Sequence, residues 1–258
     1  MRICWFTTGR EQEDFTLFQD VVKATDEDVI DGSVALVFLN RERNESEWSD
    51  RIISFAEGRS IPVETLSTRK FLIEHNLSLS TGRSLFDAEV HRLIGSHSFD
   101  VVFLAGYMLI VSPVIFDAFN VLNVHAALPG GYKGRWDEVI NRIIDDQKRT
   151  FGAMIHLVEE ILNEGPPISY ARIMLKGKEL GDLYRKATVG DRTARIKLFN
   201  SVREQEFKVE RPLIIQTLSL LSKGVIRIKD GAVFHRGKRA TGGVDVTAEV
   251  REWQSTAS

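Results

Sequence analysis

Asn123 and His125 end the short apolar run Val121–His125, just ahead of the glycine-rich turn Leu128-Pro129-Gly130-Gly131. Side chains two apart on a strand share a face, so the amide and the imidazole are expected to point the same way where strand gives out into loop. An amide can donate to developing negative charge and an imidazole can move a proton. The pair therefore nominates an active site. On these residues alone, two polar side chains at a strand end is an equal alternative.

Other candidates are weaker. Thr7-Thr8-Gly9-Arg10 follows the apolar run 3–6 and offers backbone N–H groups to an anion. Arg10 favours that use; Glu11 and Glu13 oppose it. The turn lacks Gly-x-Gly-x-x-Gly spacing, which argues against a dinucleotide. His156 alternates with Met154 and Val158 and reads as a hydrogen-bonded structural histidine, whereas His75, His91 and His97 read as solvated. No His, Cys, Asp and Glu set has ligand spacing, so no metal is expected. There is no Gly-x-Ser-x-Gly elbow.

The elements that must position the pair follow from periodicity. Strands are expected at 3–6, 34–39, 61–63, 99–105, 121–125, 151–158 and 168–175. Helices are expected over 14–24, 47–57, 71–75, 85–94 and 136–146. Alternating strand and helix predicts an α/β fold: an open, mostly parallel twisted sheet with helices on both faces. In such sheets ligands bind beyond the carboxyl ends of the strands, where Thr8-Gly9, Gly106-Tyr107-Met108 and His125 would meet. From 178 to 221 the texture is charged and helical, followed by a hairpin over 225–234 and a tail from Gly237 expected to be exposed and partly mobile. This divides the chain into an α/β domain, 1–175, and a C-terminal extension, 176–258.

Composition narrows the class. The chain has 258 residues, 43% hydrophobic and 27% charged, with a formal net charge of −2. That balance gives no general attraction to nucleic acid or anionic membranes, so neither is expected as a partner. The longest uncharged run, 101–116, falls short of the roughly 20 apolar residues of a spanning helix. Cys4 is the only cysteine, which excludes an intrachain disulfide, and it reads as a buried thiol. A reducing, cytoplasmic location is expected. A homodimer is left open.

Asn123-Val124-His125, the loop with Leu128-Pro129, Ile155-His156-Leu157-Val158 and Asn163-x-Gly165-Pro166 together resemble the folate-dependent formyltransferases, closest to the phosphoribosylglycinamide formyltransferase branch. The resemblance runs from the first strand to about residue 175, and Arg211-Pro212-Leu213-Ile214 adds weaker support. It implies a Rossmann-like fold and 10-formyltetrahydrofolate as formyl donor, with a small primary amine as acceptor. Asn123 would bind the formyl oxygen, and His125, in its protonated form, would act in proton transfer. Met108, Leu109, Ile110 and Val111 would line the pterin, enclosed by Val158, Glu159, Glu160, Ile161 and Leu162. Arg83 would lie near the cofactor, and Thr8, Gly9 and Arg10 would meet the substrate.

Three departures accompany the resemblance. Asn163 stands where the family has a catalytic aspartate, so the charge that supports a protonated histidine is missing. Glu159, Glu160 and Glu164 are the nearby carboxylates that could replace it. Gly9-Arg10-Glu11 replaces the family's phosphate-binding Gly-Ser-Asn, and Ala126 replaces a proline. Formyl transfer to glycinamide ribonucleotide is the leading expectation. A silent folate-binding protein and an amino sugar nucleotide formyltransferase are the alternatives.

Overall fold

In the computed structural model, which describes residues 1–175 and 178–256, the chain runs β1 (Arg2–Thr7), α1 (Gln12–Asp26), β2 (Ser33–Leu39), α2 (Glu47–Gly58), β3 (Val63–Thr65), α3 (Thr68–Glu74), α4 (Leu79–Ile94), β4 (Val101–Leu104), α5 (Pro113–Phe116) and β5 (Val121–His125). It continues through α6 (Trp136–Asp145), β6 (Thr150–Leu157), β7 (Pro167–Met174), α7 (Lys178–Thr188) and α8 (Arg192–Ser222). A terminal segment holds β8 (Ile226–Lys229), β9 (Ala232–His235), β10 (Lys238–Arg239), β11 (Val244–Asp245) and α9 (Thr247–Thr256).

The main sheet has eight strands in the order β11-β7-β6-β5-β4-β1-β2-β3. Strands β1 to β5 are parallel, β6 runs antiparallel to β5, and β7 antiparallel to β6. This is the open, mostly parallel sheet expected from the alternation of elements. Side chains of β1 show how both of its faces are buried. Ile3 and Trp5 join a cluster with α1, α2, α6 and α8, while Cys4 and Phe6 join a second with α3, α4 and α5. Trp5 stacks on Phe103 of β4 at 5.3 Å, locking the two central strands.

After β1 the chain adds β2 and β3 on one side, then returns to place β4 and β5 on the other. A crevice opens at such a reversal, beyond the carboxyl ends of the strands. Thr8, after β1, bonds through its N–H to the Gly106 carbonyl, after β4, at 3.1 Å.

The C-terminal elements belong to the same hydrophobic core. Leu198, Val202, Leu213 and Leu218 of α8 cluster with Ile155 of β6 and Ile168 of β7. The helical stretch breaks at Gly190-Asp191, where the Asp191 carboxylate caps α8 by accepting from Ala194 N–H at 3.0 Å. The tail from Gly237 is largely exposed, as expected, but it carries regular structure. Val244 and Asp245 pair with Ser169 and Tyr170 of β7, and Val246 and Val250 are buried. Tail residues with little apolar pattern thus extend the sheet through backbone pairing, which a side-chain pattern does not announce. Among the described residues, no helix is long and apolar enough to cross a membrane.

Candidate active site

The strand end carrying Asn123 and His125 opens into a cleft of about 280 Å³. One part of its wall is the loop after β4. Gly106, at φ +66°, begins that loop, and two bonds fix it: Met108 N–H to Thr8 Oγ1 at 2.9 Å, and Ser112 N–H to Asp87 Oδ2 at 2.5 Å. Between those anchors Met108, Leu109, Ile110 and Val111 all line the cleft. Met108 and Ile110 are 37% and 47% exposed, and Leu162 from the loop after β6 is 44% exposed. Exposed apolar side chains converging on a concave site suit a flat, largely apolar ring.

Asn123 is held by a histidine that sequence reasoning set aside as structural. β5 and β6 pair antiparallel with Asn123 opposite His156. The His156 Nδ1 lies 2.6 Å from the Leu157 carbonyl oxygen. A carbonyl can only accept, so Nδ1 carries the hydrogen and Nε2 keeps its lone pair. Asn123 Nδ2, 3.2 Å from that Nε2, donates to it. The amide is thereby oriented, and its second Nδ2 hydrogen remains for the cleft. Burial pushes the His156 pKa down to about 4, which keeps this acceptor neutral.

His125 is 5% exposed and lines the same cleft. Its Nε2 donates to the Tyr132 carbonyl at 2.8 Å, leaving Nδ1 with the lone pair. Burial lowers its pKa, and the Tyr132 carbonyl only partly offsets that. Burial thus favours the neutral imidazole, since no carboxylate among the described residues offsets its desolvation.

The nearby acids do not supply that charge. Glu164 is paired with Lys133, and Glu159 and Glu160 are exposed, with only Glu159 on the cleft wall. Asn163 sits at φ +59°, a region asparagine tolerates, and donates through Nδ2 to the Gly134 carbonyl at 3.1 Å. Its side chain raises the pKa of His156, not that of His125.

Of the residues nominated from sequence, the cleft brings together Asn123, His125, Asn163, Met108 to Val111, Val158, Glu159, Leu162 and Arg10. Glu160 and Ile161 fall outside its wall. Arg83 lies behind Leu109 and Ile110 in a separate shallow hollow, where its charge acts on Asp87. Thr8 and Gly9 support the floor: Thr8 holds Met108, and the Gly9 carbonyl accepts from Ser46 Oγ at 2.9 Å and Arg41 at 3.1 Å. The three histidines expected to be solvated are not free: His75 Nδ1 donates to the Phe71 carbonyl at 2.9 Å. His97 Nε2 meets Glu64 Oε1 at 3.0 Å, and His91 packs on Phe119.

The far end of the cleft was not foreseen. Glu13, Asp14 and Leu17 of α1 line it together with Trp136 of α6 and Arg203 and Glu210 of α8. Arg203 bonds Glu206 at 3.1 Å and Glu210 at 3.2 Å, and its guanidinium lies 4.7 Å over the Trp136 ring. Burial works against the Arg203 charge, yet Glu210 and Glu206 hold it protonated. Burial and the neighbouring Glu210 push Glu206 well above the carboxylate range. The spacing 203, 206, 210 on one helical face was the sequence signal available for this group.

A family model described as formyl transferase matches residues 1–193. The chain belongs to the formyl transferase family. Among curated relatives of this chain, the phosphoribosylglycinamide formyltransferase of Escherichia coli K12 is 26% identical over 224 residues, covering 86% of this chain and 89% of its own. The crystal structure of phosphoribosylglycinamide formyltransferase from Coxiella burnetii superposes with a TM-score of 0.67 at 18% identity, covering 95% and 98% of the two chains. A formyltetrahydrofolate deformylase from Pseudomonas syringae gives 0.66 at 22% identity, over 91% of this chain and 65% of that one. At those identities the solved structures speak to the fold alone.

Proposed function

We propose that this chain transfers a formyl group from 10-formyltetrahydrofolate to a primary amine in the cleft beyond β5. The observation that carries this reading is the oriented Asn123 amide beside a neutral, buried His125, in one cleft with the apolar Met108–Val111 loop. Met108, Leu109, Ile110, Val111, Val158 and Leu162 hold the folate ring, and the bound donor supplies an electrophilic formyl carbon. Asn123 gives its remaining Nδ2 hydrogen to the formyl oxygen as charge builds there. Loss of one such donor typically raises a barrier by about 2.7–4 kcal/mol. As the unprotonated acceptor nitrogen bonds to the formyl carbon, His125 takes at Nδ1 the proton that nitrogen sheds in the tetrahedral adduct, and it returns that proton to the folate N10 as the C–N10 bond breaks and tetrahydrofolate leaves.

The names of the relatives support glycinamide ribonucleotide as the acceptor. The first turn does not, since its Arg10 N–H is already bonded to a side-chain carboxylate. A folate-binding protein without turnover is the second reading, favoured by the absence of a carboxylate acting on His125.

Incubation with 10-formyltetrahydrofolate and a panel of amines, including glycinamide ribonucleotide, should release tetrahydrofolate in step with formylated amine. His125→Ala should lower turnover by about 10²–10⁴-fold. Donor binding without transfer to any amine would favour the second reading.

A further inference from the structure

The acceptor end of the cleft is built for positive charge. In the turn after β1, the backbone N–H that an anionic group would need is held internally: Arg10 N–H donates to Asp14 Oδ2 at 2.8 Å. Thr8 N–H is bonded to the Gly106 carbonyl, and Gly9 N–H faces Thr7 Oγ1 at 3.4 Å. A carboxylate of the chain itself thus occupies an anion's position in this turn.

Asp14 is 4% exposed and lines the cleft, and its other oxygen accepts no hydrogen bond among the described residues. The carboxylate fits there because residue 106 is glycine. A Cβ on Gly106 would lie 2.0 Å from Asp14 Oδ1. Glu13 lines the same end and has no ion-pair partner among the described residues. Glu210 reaches it from α8, a separate element far along the chain. The two guanidiniums here are already matched, Arg10 by Glu11 at 2.6 Å and Arg203 by both Glu206 and Glu210. Arg135, also on the cleft wall, is tied to Asp137 at 2.6 Å. The unmatched charge at this end is negative.

Resting on the formyl-transfer reading, we propose that the acceptor is a primary amine without phosphate that carries a second cationic nitrogen, which sits against Asp14 and Glu13 of α1. A phosphorylated acceptor would bring its charge to a turn whose Arg10 N–H is taken and beside carboxylates that repel it. A diamine satisfies both requirements: one nitrogen reacts near Asn123 and His125, and the other neutralises Asp14. Desolvated carboxylates bind such cations by charge-assisted hydrogen bonds, about twice as strong as neutral ones.

The test is calorimetric titration of the full chain with 1,4-diaminobutane, 1-aminobutane and inorganic phosphate, for wild type, Asp14→Asn and Glu13→Gln. The same amines and glycinamide ribonucleotide are then assayed for formylation with 10-formyltetrahydrofolate. The diamine should bind about tenfold or more tighter than the monoamine, and each substitution should remove about tenfold. Glu13→Gln, at a partly exposed position, gives a second and independent reading. Phosphate binding tighter than the diamine, variants that retain full diamine affinity, or preferential formylation of glycinamide ribonucleotide would each overturn the proposal. Diamine binding as expected with formylation of no amine would refute the formyl-transfer reading and leave the cationic site standing.

Discussion

Asn123 Nδ2 lies 3.2 Å from His156 Nε2, across the antiparallel pairing of β5 with β6. The neutral imidazole takes one Nδ2 hydrogen, which fixes the amide plane and leaves the other Nδ2 hydrogen for the cleft. His156→Leu removes that acceptor and frees the amide to rotate. Turnover should fall by about a hundredfold, since small misplacements of a reacting group cost that much. KM for the folate donor should hold, because the Met108–Val111 loop has its own anchors. Steady-state kinetics separates the two, and a change confined to KM would contradict the assignment.

Asn163 acts on His156, so Asn163→Asp should place a carboxylate within reach of that ring. An adjacent negative charge favours the imidazolium. The His156 pKa, about 4 in the native chain, should climb by about one pH unit in an NMR titration. If His125 moves instead, the loop has rearranged and Asn163 stands in for the family's aspartate after all.

Asp14 should cost the protein stability. Burial raises its folded pKa to about 6, above the usual carboxylate value, so its contribution is favourable below the unfolded pKa and is lost as pH rises through 6. Above that pH the buried charge costs on the order of 3 kcal/mol. Asp14→Asn should therefore be more stable than wild type at pH 7–8 in denaturant melts, with the advantage shrinking as pH falls from 6 toward 4. An equal gain at all pH values would show that the charge is not the cause.

Gly106→Ala combines two penalties. Its φ of +66° disfavours a side chain, and the added Cβ would meet the Asp14 carboxylate. Left-handed backbone costs about 1–2 kcal/mol and overpacking about 1–3 kcal/mol. A thermal melt should show a loss of at least about 2 kcal/mol, smaller in an Asp14→Gly background, where the clash is removed. If the double-mutant cycle shows no coupling, the close approach is not the source.

The α/β class, the strands around residues 3–6, 34–39 and 121–125, and the shared strand end of Asn123 and His125 were legible in the sequence. Apolar runs and alternation are local properties that burial on two faces of a sheet imposes directly. The apolar stripe Val139, Ile140, Ile143 and Ile144 of α6 is buried for the same reason. The resemblance to the formyl transferase family was legible too. Only the tertiary structure decided what His156 does, because its role follows from antiparallel register with β5, and register is fixed by pairing, not by composition. The neutral state of His125 depended on burial, which the Tyr132 carbonyl only partly offsets. The acidic far end arose because α1 and α8 meet at one cleft, bringing Asp14 and Glu210 to the same wall from distant parts of the chain. Local pattern determined the scaffold and the strand end that Asn123 and His125 share; long-range packing decided the protonation of the cleft and the charge it presents.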